Sequence, residues 1–213
     1  MNTLTVDQLS SMLTYASARI VASEDFLCQL DRNIGDGDHG LGMARGYRTA
    51  AAEIDGNHYD TAGSLLNAFG EALVDSMGGA SGVLNGQLFV AGSSRLRQTP
   101  ELSVAGMAEL IDTGLADIRK RGGADVGDKT MVDALVPAAR SLTDSAAAGD
   151  PFPLALEAAA DAARTGAEST LNLVARFGKS HALGERAIGH VDAGATSMSI
   201  LFAAFAEWAK AEE

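Results

Sequence analysis

Apolar residues recur every three to four positions along nearly the whole chain, and that spacing leaves one kind of architecture open. Leu9, Met12, Leu13, Ala16 and Ile20 share a helical face, as do Leu65, Leu66, Phe69, Leu73 and Met77, and again Leu110, Ile111, Leu115 and Ile118. No stretch shows the alternating, β-branched pattern of a strand of any length. The spacing predicts eight helices, over residues 6–30, 41–54, 61–77, 82–97, 104–121, 130–147, 153–176 and 195–211. Thr5 and Gln8 stand in capping-box spacing at the first. Thr130 and Asp133 stand as N-cap and N3 of the sixth, and Pro137 should bend that helix. Aromatic residues make up only 5% of the chain and alanine is abundant, so helices can approach closely. The expectation is one all-α domain over residues 1–213, with about eight antiparallel helices in a bundle or barrel.

The charge balance narrows the partners. A formal net charge of −12 argues against nucleic acid and against an anionic membrane surface, both of which want stripes of Lys and Arg. An acidic chain that binds a polyanion must use metal ions and backbone N–H groups. The single cysteine, Cys28, excludes an internal disulfide and a Cys-based zinc site, and is read as a small core residue. The N-terminus has no basic segment of a signal peptide, and no apolar run reaches the ~18 residues of a spanning helix. A cytoplasmic location is expected.

Chemistry concentrates in Asp31-Arg32-Asn33-Ile34-Gly35-Asp36-Gly37-Asp38-His39-Gly40. Three carboxylates this close repel one another unless a cation neutralises them. Hard oxygen ligands on a glycine-rich turn suit Mg²⁺ or Ca²⁺, not zinc. Gly35, Gly37 and Gly40 satisfy the G-x-G-x-x-G spacing of dinucleotide-binding folds, but that motif must follow a buried strand. An EF-hand begun at Asp36 would put Leu41 where its glycine belongs and Tyr47 where its glutamate belongs. A carboxylate-lined metal site at Asp31, Asp36 and Asp38 survives both tests.

In an up-and-down bundle, alternate connections emerge at the same end. The loops at 31–40, 78–82, 122–130 and 178–194 therefore share one rim, and these are the loops rich in glycine and polar residues. Gly78-Gly79-Ala80-Ser81-Gly82 leads into a helix N-terminus, where free N–H groups and the helix dipole favour phosphate oxygens. Gly127-Asp128-Lys129-Thr130-Met131 offers a second helix start, a cation, and Met131 as an apolar surface for a purine. Phe177-Gly178-Lys179-Ser180 is not a P-loop, since Leu173 stands where its first glycine is needed, but Lys179 can touch phosphate as a simple charge. Asp192 can accept from a ribose or base. His39 is read as a phosphate or backbone partner, His190 as structural. Carboxylates for divalent cations beside N–H cradles for phosphate meet the electrostatic needs of phosphoryl transfer. No acceptor pocket or general base is evident on the same rim, so the domain reads as half of an enzyme.

Four segments, in order, closely resemble the DhaL family, the nucleotide-binding subunits of dihydroxyacetone kinases. They are Asn33–Gly40, Gly78–Gly82, Gly127–Leu135 and Leu183–His190. The resemblance implies an eight-helix α-barrel with nucleotide at one rim. It implies two Mg²⁺ on Asp31, Asp36 and Asp38, with ADP or ATP against His39, Gly40, Leu41, Gly42, Ala80, Ser81, Gly122, Met131, Lys179, Asp192 and Gly194. It further implies a ketose held covalently on a separate DhaK-type subunit. The donor is either a phosphohistidine protein of the sugar phosphotransferase system, recharging bound ADP, or exchanging ATP. Ala193 and Lys179 depart from the family's usual proline and arginine, which predicts a looser grip on nucleotide. Two other roles remain open: the nucleotide domain of a fatty-acid-kinase-like system, and a nucleotide-state sensor acting on a transcription regulator.

Overall fold

The structure, a computed structural model, describes residues 1–212. Nine α-helices are present among them: α1 (Val6–Ala22), α2 (Glu24–Ile34), α3 (His39–Ile54), α4 (Ala62–Met77), α5 (Gly79–Ser93), α6 (Val104–Gly122), α7 (Val132–Ala148), α8 (Phe152–Ser169) and α9 (Ala193–Ala211). Helix α1 packs on α3, each helix from α3 to α8 packs on the next, and α9 closes the ring on α1. Eight helices thus form a closed up-and-down barrel, and α2 lies outside the ring against α3.

Local chemistry sets the helix starts. The Thr5 hydroxyl accepts from the Gln8 amide at 3.2 Å while the Gln8 side chain accepts from the Thr5 amide at 3.0 Å, the expected capping box. Ser103 caps α6 by accepting from the Gly106 amide at 3.1 Å, without a reciprocal bond. The predicted first helix breaks at Ser23, whose amide reaches back to the Ile20 carbonyl at 3.0 Å and ends α1. Helix α5 runs over 79–93 instead of 82–97, and α8 ends at Ser169, seven residues early.

Two short strands were not expected. β1 (Thr3–Thr5) pairs antiparallel with β2 (Glu101–Ser103), with Leu4 opposite Leu102. Three residues are too few to show an alternating pattern. Both leucines are fully buried, so the pair plugs the barrel end opposite the rim.

One apolar cluster fills the barrel and includes the edge-to-face run Tyr47–Phe69–Phe89. Close helix approach is visible where α4 crosses α5: a Cβ on Gly70 would lie 2.8 Å from the Gly86 carbonyl oxygen, and one on Gly86 would lie 2.6 Å from that of Gly70. Ile34, Ala175 and Ala187 form a smaller cluster that ties the segment after α8 to the end of α2. No helix among the described residues is long and apolar enough to cross a membrane.

Candidate functional site

Helices α3, α5, α7 and α9 all descend from the same rim, so four positive dipole ends converge there. They surround a cavity of about 630 Å³. It is lined by residues from all four rim loops, including Asp31, Asp36, Asp38, His39, Leu41, Gly42, Ala80, Ser81, Gly122, Met131, Lys179, Asp192 and Gly194. Of the predicted metal and nucleotide contacts, only Gly40 stands apart. Its Cβ position would fall 2.0 Å from the Glu24 carbonyl oxygen, so this glycine lets α3 pack on α2.

The carboxylates divide into two kinds. Asp31, on the last turn of α2, accepts through Oδ2 from the amides of Gly37, Asp38 and His39 at 2.8, 3.0 and 3.2 Å. It builds the turn and caps α3. Asp36 and Asp38 are exposed and both bond the Lys179 ammonium, the latter at 3.5 Å. That hydrogen bond holds the Asp36 carboxyl below its ordinary range, and Asp36 in turn raises Lys179. One oxygen from each of Asp31, Asp36 and Asp38 lies within 4.8 Å of the others. Three hard oxygen donors at that spacing, held by a turn and already drawing a cation to themselves, fit a divalent ion such as Mg²⁺. The lysine expected to meet phosphate therefore lies with the carboxylates.

The N–H groups for an anion come mainly from α5. Gly82 makes that helix's first backbone bond, to Gly78, and no side chain caps the end. The Gly79, Ala80 and Ser81 amides are left facing the rim. Arg45 of α3 secures the preceding turn by donating to the Ser76 carbonyl at 2.7 Å and to the Met77 carbonyl. Helix α9 is capped by Asp192, which accepts from the Ala195 amide at 2.7 Å. Burial pushes the Asp192 carboxyl up to about 7, helped by the nearby charge of Asp133 and opposed by that N–H bond. Burial also pulls His39 below its usual value, against the pull of Asp31 and Asp38. Its Nε2 lies 3.2 Å from the Ser197 hydroxyl, which gives its own proton to the Gly194 carbonyl, so the ring nitrogen is the donor.

Lys129 has a different place from the one its loop suggested. It is 1% exposed and adopts a left-handed backbone, φ +62°. Its ammonium donates to the carbonyls of Thr170 and His190 and so straps the third rim loop to the fourth. Burial lowers its pKa, against the attraction of Asp192 and Asp133. Asp133 completes the strap by accepting from the Gly127 and Thr130 amides at 2.6 and 2.8 Å. The Thr130 hydroxyl accepts from the Val132 amide at 3.2 Å, but the helix starts at Val132 with Met131 as its N-cap and no side-chain cap bond, so Thr130 is not the N-cap that its spacing suggested. Sequence reasoning missed Arg45 and Asn85, which also line the cavity. Arg45 carried a signal, lying four residues after Leu41 and three after Gly42, and hence on their face of α3.

The family model for the DAK2 domain matches residues 33–207. The ADP-binding subunit DhaL of the PEP-dependent dihydroxyacetone kinase of Escherichia coli is 36% identical over 203 residues, covering 95% of this chain and 97% of that one. The DhaL subunit of the PTS-dependent kinase of Lactococcus lactis is 35% identical over 199 residues, 93% of this chain and 95% of its own. The D-erythrulose kinase of Mycolicibacterium smegmatis is 40% identical over 185 residues, but the match takes only 31% of its length. Among solved structures, the dihydroxyacetone kinase of C. freundii in complex with AMP-PNP and Mg²⁺ superposes with a TM-score of 0.72 at 34% identity. That match covers 93% of this chain and 33% of the longer kinase. The chain therefore belongs to the DAK2 domain family and is a DhaL-type kinase subunit.

Proposed function

We propose that the whole chain, residues 1–213, is the nucleotide-binding, phosphate-donating subunit of a kinase for dihydroxyacetone or a related ketose, and that the ketose sits on a separate DhaK-type subunit. The observation that carries this reading is the juxtaposition of the three-carboxylate cluster with four helix N-termini around one cavity. Asp31, Asp36 and Asp38 would hold two Mg²⁺, which when bound supply charge neutralisation for the phosphates. The amides of Gly79, Ala80 and Ser81 would cradle phosphate oxygens. Met131, Leu84 and Phe177 give the cavity an apolar side suited to a base. Lys179, exposed and reaching the same carboxylates, is free to exchange them for a phosphate oxygen. His39 stays neutral and bonded to Ser197, so it orients the site and does not carry charge. Chemistry of this kind needs position and charge more than covalent participation.

The E. coli and Lactococcus relatives that this chain matches over nearly their full length are named PEP- or PTS-dependent. That supports bound ADP as a resident cofactor, recharged by a phosphohistidine protein. Exchanging ATP is the second reading, favoured by the departures at Lys179 and Ala193 from the arginine and proline usual in the resembled family. One experiment addresses both. The purified chain is washed with Mg²⁺ present and denatured, and the released nucleotide is identified; the native chain is then assayed for ketose phosphorylation with a DhaK-type subunit added. Stoichiometric ADP and activity with a phosphohistidine donor are expected. An empty protein active with ATP establishes the second reading. No nucleotide binding and no transfer from either donor would refute both.

A further inference from the structure

Asn85 lies on α5, lines the rim cavity and is only 2% exposed. Its Nδ2 donates to the Ser81 carbonyl at 3.0 Å, whereas its Oδ1 has no partner. Buried side-chain oxygens almost always find a donor, so an orphan acceptor beside a ligand cavity calls for one from the ligand. Among the described residues, the other buried side-chain atoms without a partner are the Tyr47 hydroxyl and Arg119 Nε. Neither residue lines the cavity.

The Ser81 carbonyl also fixes which way the amide faces. Turning Asn85 over would bring Oδ1 against that carbonyl oxygen and lose the Nδ2 bond. One Nδ2 proton is committed to Ser81, and the side-chain atom left without any partner is the acceptor Oδ1. Its surroundings are apolar: Leu84 is the preceding residue and lies 3.7 Å from the Cβ position of Gly122, and Ile118, Met131 and Val132 line the same cavity. A flat heterocycle would stack there, with its edge at Asn85.

We propose that Asn85 is a base-specificity residue whose Oδ1 accepts a hydrogen bond from the 6-amino group of adenine. The assignment rests on the nucleotide reading given above. Adenine presents N–H donors at that edge. Hypoxanthine and guanine carry an oxygen at position 6, which would meet the Asn85 oxygen head-on. A site built to pair with a ligand N–H discriminates against analogues lacking it, because its own buried group is then left unpaired.

The test is titration of the full chain, at fixed Mg²⁺, with ADP and with inosine diphosphate, which carries oxygen in place of the 6-amino group. Wild type should bind ADP about tenfold or more tightly than inosine diphosphate, and Asn85→Leu should narrow the gap to about twofold. Equal affinities in wild type, or a full preference retained by Asn85→Leu, would overturn the assignment while leaving the nucleotide site standing. Failure of wild type to bind either ligand would overturn the nucleotide reading itself. Should Asn85→Leu lose its cooperative melt, wild type is titrated with purine riboside diphosphate, which lacks the amine. About tenfold weaker binding than ADP is then expected, and equal binding would overturn the proposal.

Discussion

Asp31 Oδ2 lies 3.2 Å from the amide nitrogen of His39, so the carboxylate that closes α2 also caps α3. Asp36 and Asp38, its neighbours in the metal cluster, make no such backbone commitment across the turn. This difference separates folding from binding. Asp31→Ala should lose stability by about 1–2 kcal/mol, as removal of a helix cap does, and so lower the melting temperature by a few degrees. Asp36→Ala and Asp38→Ala should melt close to wild type yet lose Mg²⁺-dependent ADP binding by about a hundredfold. Paired melting curves and titrations check this; equal destabilisation by all three would contradict the division.

Lys129→Met should destabilise by about 2–4 kcal/mol, because it leaves the buried carbonyls of Thr170 and His190 without a donor. For a chain of this size, the melting temperature would fall by about 5–10 °C. Thermal unfolding gives the answer directly. A Met variant as stable as wild type would mean that the strap contributes nothing.

The raised Asp192 carboxyl makes a pH prediction. The folded protein keeps a proton up to about pH 7 that the unfolded chain releases near 3.8. Between those values the folded state binds more protons, so this group's contribution to stability grows as pH falls from 7 towards 4 and is absent above 7. His39, pulled below its usual 6.5, works the other way and loses stability as pH falls through that region. Comparing wild type with Asp192→Asn cancels His39. Lowering the pH from 8 to 5.5 should shift the melting-temperature difference in favour of wild type by a few degrees. A difference independent of pH would contradict the raised Asp192 carboxyl.

Gly40→Ala tests the glycine that sequence resemblance placed on the nucleotide. In a solvated helix this change gains about 1 kcal/mol. Here the new methyl would meet the Glu24 carbonyl oxygen and the Cys28 amide at 2.0 and 2.8 Å. Overpacking of this kind costs about 1–3 kcal/mol, so the denaturant midpoint should fall. A raised midpoint would show that α3 does not need this contact.

The helices were legible because their buried faces repeat at helical spacing, and the rim was legible because glycines and carboxylates fell on alternate connections. What escaped depended on contacts between distant segments. Nothing in Val21-Ala22-Ser23-Glu24-Asp25 forbids a continuous helix, yet the chain turns there to carry α2 outside the ring. Residues 170–176 read as helix, but Thr170 accepts from Lys129, donates to Ala167 and accepts from the Asp192 amide, and those bonds unwind the end of α8. Lys129 looked like a surface cation because a lysine in a glycine-rich loop usually is one. Asn85 belongs to none of the motifs that the sequence offered, and only its orphan oxygen beside the cavity gives it a role.

The measurement that bears most directly on the account is a calorimetric titration of the full chain with ADP, once with saturating Mg²⁺ and once with chelator. The account predicts tight binding with Mg²⁺ and a loss of about a hundredfold or more without it, since an acidic rim cannot hold a polyphosphate unaided. Equal affinity in the two conditions, or no binding in either, would contradict it.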